Sequence, residues 1–213
     1  MLNKLPFKRI VAIDFEFNFG GHASKEAAGR SGERPRVVCM VAKELRSGRT
    51  WRLWEGQFET QPPFPLNSDT LLVAYYASAE FGCFRALGWP QPKFVLDLFT
   101  EFRARINGTQ HGARLVNAAV HFGLDAITVE EKSEMILLIL RGGPWTAEEQ
   151  AAILSYFRGV DRYVYERVRD FLARRHKVAG RGTHRFSCDV VYGERGLLRL
   201  ERLPLNAPSC ALR

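Results

Sequence analysis

The chain is poor in the residues that build covalently stapled or metal-stapled scaffolds. Its 213 residues include only four cysteines, Cys39, Cys83, Cys188 and Cys210, far apart and without C-x-x-C spacing. That pattern argues against a disulfide framework or a structural zinc site and fits ordinary intracellular thiols. No window approaches the ~20 apolar residues of a membrane span, so no membrane association is expected. The opening stretch, Met1 to Arg9, lacks the apolar run and small-residue cleavage site of a signal peptide, and a cytoplasmic location is expected. Internal repeats and low-complexity segments are missing too. What is present suffices for one domain with a real core, since 46% of the residues are hydrophobic.

Acidic charge is scarce only at one end. Residues 1–156 carry 18 Lys/Arg against 17 Asp/Glu, a net +1, whereas residues 157–213 carry 13 against 6, a net +7. A basic tail raises affinity for phosphate backbones or simply keeps a chain soluble. The pattern of elements weakens from Val178, so a domain over residues 1–177 and an irregular basic tail over 178–213 are expected. The tail reads as a strand-rich appendage around Cys188 to Tyr192, a poorly ordered segment, or the product of a lost reading frame.

Along the domain, three strands are expected at Lys8–Phe17, Arg36–Leu45 and Thr50–Trp54, the last two as a hairpin turning at Ser47-Gly48. A buried fourth strand covers Leu71–Tyr76, and a helix capped by Ser78 runs to about Leu87. A short strand ends at Asp97 and leads into a helix through about Ile106. Further helices cover Leu115–Phe122 and Glu131–Leu140, and the last long one is capped by Thr146 and Glu149 in capping-box spacing. Strands first, then helices alternating with strands, argue an α/β domain with a mixed sheet.

The chemistry concentrates in Asp14-Phe15-Glu16. A strand has a side-chain period of two, so both acids point to one side of an otherwise apolar strand. Two carboxylates there repel each other and lose hydration unless a cation or hydrogen-bond donors offset the cost. Oxygen donors of this kind suit Mg²⁺ or Mn²⁺. A strand end with both acids in water is the plain alternative. Glu80 stands at the junction between the fourth strand and its helix, where α/β sheets bind ligands. The late helix adds Tyr156 and Asp161.

In order and type, Asp14-Phe-Glu16, Ala79-Glu80-Phe81 and the Tyr156/Asp161 helix resemble the three exonuclease motifs of the DEDD superfamily. The nearest branch is the tyrosine-containing 3′–5′ proofreading exonuclease domain of DNA polymerase I-like proteins of bacteria and phages. The stretch from Leu72 to Pro90, Leu96-Asp97-Leu-Phe-Thr-Glu-Phe-Arg and Arg141-Gly-Gly-Pro-Trp look similar to phage-type members. The resemblance covers roughly residues 8–160. It implies a ribonuclease H-like mixed sheet flanked by helices and a two-metal Mg²⁺ or Mn²⁺ site. Asp14 would bridge both ions and Glu16 would hold the one that activates water. Glu80, where many members have Asp, would act on the second, and Tyr156 would orient the attacking water. The substrate would be a single-stranded DNA 3′ end and the product a nucleoside 5′-monophosphate. No polymerase domain follows within these residues, so a separate polymerase is a possible partner.

The last motif departs from the family pattern. The acid expected four residues after Tyr156 is Val160, and Asp161 comes one later. On a regular helix, five positions leave it about 140° from Tyr156, against about 40° for four. A π-bulge at Gly159 would restore the shared face; otherwise the fourth ligand is missing. Two further readings follow. One is a catalytically impaired remnant that binds nucleic acid or a polymerase. The other is a plain nucleic-acid-binding module led by the tail.

The remaining candidates have plainer roles. Asp97 reads as support for a metal ligand or as a helix cap. His121 reads as a helix-end residue, and His22 and His111 as loop residues. Tyr75, Tyr76, Phe15 and Phe17 read as core or as base-stacking aromatics. Phe15, facing away from Asp14, is expected in the core, as are Cys39 and Cys83. Packing is the expected role of Trp51, Trp54, Trp89 and Trp145.

Overall fold

The apolar run at the start of the chain becomes the central strand. In β1 (Arg9–Asn18), Ile10, Val11, Ala12 and Ile13 are fully buried, because helices cover both faces of the sheet. A computed structural model describes residues 5–19, 34–124, 128–156, 190–193 and 196–199. The further strands are β2 (Arg36–Glu44), β3 (Thr50–Trp54), β4 (Thr70–Ala74) and β5 (Phe94–Asp97). They form a mixed sheet in the order β3-β2-β1-β4-β5. β1, β4 and β5 are parallel, and β2 runs antiparallel to both β1 and β3. Two short strands, β6 (Val190–Gly193) and β7 (Gly196–Arg199), continue the sheet beyond β5.

Residue parity sorts the two faces. Val11, Ile13 and Phe15 pack with Met40, Leu72 and Val95 against α1 (Ala77–Leu87), chiefly through Cys83 and Phe84. Trp89 closes this layer, touching the rings of Phe15, Phe84 and Phe58. Ile10 and Ala12 face the other way, toward α2 (Leu98–Arg105) and α3 (Leu115–His121). On that same side α4 (Val129–Leu140) and α5 (Ala147–Ser155) pack Ile139 and Ile153 onto Val38 and Cys39 of β2. Among the described residues, no helix is long and apolar enough to cross a membrane.

Most expected elements form, with three corrections. β4 ends at Ala74, two residues before the expected Tyr76. Ser78 does not cap α1; the helix starts at Ala77 after Tyr76, whose φ of 79° turns the chain sharply. The Tyr76 N–H is taken by Asp97 instead of the β4 ladder, which explains both shifts. α4 begins at Val129 rather than Glu131, because Thr128 and Glu131 form a capping box. The box of Thr146 and Glu149 starts α5 as expected. Asp97 caps α2, accepting from the N–H groups of Phe99 and Thr100.

The β2–β3 hairpin is fastened by a buried carboxylate. Glu44 accepts hydrogen bonds from the N–H groups of Ile10, Arg46 and Ser47. Burial pushes its pKa up, but the hydrogen bonds from Ser47, Ile10 and Arg46 prevail and hold it below the ordinary carboxylate range. A lowered folded-state pKa stabilises the protein above the unfolded value of about 4.3, and the benefit is lost as pH falls through the folded value. Glu44→Gln is therefore expected to cost about 1–3 kcal/mol at pH 7. Its deficit against wild type should shrink as pH is lowered. Urea unfolding of both proteins across the acid range checks this, and a deficit independent of pH would contradict it.

Candidate active site at the end of the central strand

The site arises where two neighbouring strands differ in length. β4 pairs with β1 only from Arg9 to Ala12 and ends at Ala74, while β1 continues to Asn18. The N–H and C=O of Ile10 turn toward the β2 side. By alternation the N–H of Phe15 turns toward the β4 side, where that strand has stopped. Glu80, in the first turn of α1, supplies the acceptor: its Oε2 takes the Phe15 N–H at 3.0 Å. Only 3% of Glu80 is exposed. The carboxylate thus lies beside the backbone that links Asp14 to Glu16.

Asp14 and Glu16 project from the face opposite Phe15, which is core as expected. Both acids are half-buried, and their partners across the ladder are Val41 and Cys39. Two other groups register their charge. Burial, then the charges of Glu16 and Asp14, push the Cys39 thiol far above its ordinary pKa. The half-buried Tyr156 hydroxyl is raised by the same causes in the same order. Tyr156 therefore lies within the field of both acids, which favours its protonated form. It reaches this position through α5: Ile153, one turn earlier, is seated on β2. The helix start is braced by Arg141, which makes paired hydrogen bonds of 2.9 and 2.7 Å to Glu149.

Four of the five residues singled out in the sequence thus meet at one end of β1: Asp14, Glu16, Glu80 and Tyr156. Asp161 lies outside the described residues, as do Val160, Gly159 and His22. His121 ends α3, exposed, with its ring against Phe102, Phe122 and His111. His111 is likewise exposed in the preceding loop. Trp54 and Trp145 pack edge-to-face.

Asp97 does more than its position before a helix announces. Its Oδ1 accepts from Phe99 N–H at 2.9 Å and also from Tyr76 N–H at 3.2 Å. One oxygen thereby ties the β4–α1 junction to the start of α2. Asp97-Leu-Phe-Thr signals the cap, but nothing local signals the bond to Tyr76, twenty-one residues away.

The donor set is made of oxygen. Cys39 is buried and its thiolate is disfavoured by the charges of Glu16 and Asp14, while the carboxylates offer the oxygen donors that suit Mg²⁺ or Mn²⁺. Among the described residues, no group of three or more His, Cys, Asp or Glu is arranged to hold a metal ion. No protein-family model matches the chain, and comparison with curated proteins gives no match.

Proposed function

We propose that this chain is a metal-dependent 3′–5′ exonuclease of the DEDD type, removing nucleoside 5′-monophosphates from single-stranded DNA ends. The observation that carries it is the convergence of Asp14 and Glu16, Glu80 and Tyr156 from three separate segments on one end of β1. The sheet order, with β2 alone reversed among the first five strands, supports a ribonuclease H-like reading.

In this reading Asp14, Glu16 and Glu80, with Asp161 as the fourth acid, would hold two Mg²⁺ or Mn²⁺ ions. When bound, such ions activate water and neutralise charge developing on the phosphate and the leaving 3′ oxygen. The protein's own groups do the positioning. Tyr156, kept protonated, offers its hydroxyl to orient the attacking water. Water adds to the terminal phosphorus, the bond to the 3′ oxygen breaks, and that oxygen takes a proton. The basic C-terminal quarter adds attraction for the phosphate backbone.

A second reading is a remnant that binds nucleic acid, alone or beside a separate polymerase, without cleaving it. It is favoured by Val160, which stands where the family pattern has its last acid, with Asp161 one residue later. One assay separates the two. A single strand labelled at its 3′ end is incubated with Mg²⁺ or Mn²⁺ and, in parallel, with chelator. The enzyme reading expects labelled mononucleotide with metal and none with chelator. An intact strand in both metals, from a folded protein that binds it, establishes the remnant.

A further inference from the structure

Tyr76 combines strain with exposure. Among the described residues it is the one non-glycine with positive φ, at 79°. Bulky side chains rarely adopt that conformation, and where they do it is often at functional sites. Burial does not explain it, since 49% of Tyr76 is exposed. The position is held on purpose-built contacts. Asp97 Oδ1 takes the N–H of Tyr76 and the N–H of Phe99, which fixes the two backbones relative to each other. The two rings then meet edge-to-face, with centroids 4.9 Å apart. Arg103, one turn along α2, sets its guanidinium 5.6 Å from the centre of the Phe99 ring. Tyr76 immediately precedes α1, the helix whose first turn carries Glu80 to the acidic site.

An exposed aromatic ring braced on a second ring that itself carries a cation offers a single nucleic-acid strand a stacking surface for a base and, nearby, a positive charge for phosphate. We infer that Tyr76, seated on the Phe99 ring that Arg103 also covers, is a base-stacking platform for the strand whose end enters the acidic site. The direction of the strand rests on the exonuclease reading; the stacking itself requires only that a single strand binds.

The test is binding of the full chain to a fluorescent single-stranded oligothymidine, read by anisotropy with Ca²⁺ as the divalent ion. Tyr76→Ala is expected to weaken binding about tenfold or more, in the range of one stacked base. Tyr76→Phe, which keeps the ring, is expected to bind as wild type does. Arg103→Gln should weaken binding and flatten its salt dependence. Strands with one abasic site near the 3′ end provide a readout that a merely structural role would not move. One abasic position should weaken wild type but not Tyr76→Ala. Should Tyr76→Ala fold poorly, Tyr76→Leu, which keeps apolar bulk without the ring, takes its place in both comparisons. Equal binding by wild type and a folded Tyr76→Ala overturns the platform, as does an abasic penalty that persists in that variant. If the expected pattern is seen but Mg²⁺ and Mn²⁺ release no nucleotide, the exonuclease reading fails and the platform stands. If nucleotide is released and Tyr76→Ala binds normally, the platform alone fails.

Discussion

Asp14→Asn is expected to slow nucleotide release by about a thousandfold or more while leaving the protein folded. The change removes one negative charge and keeps the side chain's size. In the proposed chemistry Asp14 would be a metal ligand, so its loss would withdraw several kcal/mol of transition-state stabilisation. The fold has little reason to respond, because Asp14 contributes no apolar surface to the cores on either side of β1. Its melting temperature should stay within about 3 °C of wild type. Release of 3′ label and thermal melting by circular dichroism, measured on the same preparations, check both halves. Undiminished release would remove Asp14 from the site and with it the proposed mechanism.

Phe84→Ala is expected to have the largest effect on stability. Phe84 is fully buried and packs edge-to-face with both Phe15 and Trp89, joining α1 to β1. Truncation leaves a cavity in the middle of the α1 layer and costs about 3–5 kcal/mol. For a chain of this size that lowers the melting temperature by on the order of 10 °C. The consequence reaches the site. Glu80 lies one turn before Phe84 on the same helix face, and its bond to Phe15 N–H depends on α1 staying against β1. The variant should therefore lose the proposed nuclease activity below its melting temperature, more steeply with heating than wild type does. Activity that follows only the folded fraction would show that α1 need not be held rigidly.

The sheet was legible because its signals are local. The continuous apolar run Ile10–Ile13, the turn at Ser47-Gly48 and the capping box at Thr146 each sit within a few residues and need no tertiary information. The Thr128 and Glu131 box carries an equally local signal; taking the first apolar-rich segment as the helix start conceals it. The β4–α1 junction was not legible. Ser78 is a good cap by composition, but a long-range bond from Asp97 outbids it and draws the helix start back to Ala77. Tyrosine carries no preference for left-handed backbone, so nothing in Ala74-Tyr75-Tyr76-Ala77 announces the turn. Within the site, the pairing of Asp14 and Glu16 follows from strand parity alone, whereas the nearness of Tyr156 needed the packing of Ile153 onto β2. The position of Asp161 falls outside the described residues, and the spacing after Tyr156 leaves it open.

β1 carries two messages on one strand. Odd-numbered Val11, Ile13 and Phe15 belong to the α1 layer, while even-numbered Asp14 and Glu16 belong to the site. A slip of one residue in pairing would exchange the two faces, driving Asp14 and Glu16 into the apolar layer under α1 and Phe15 out of it. The acids thus act as proof marks for assembly: a chain that folds with β1 out of step loses its core and its site in the same error.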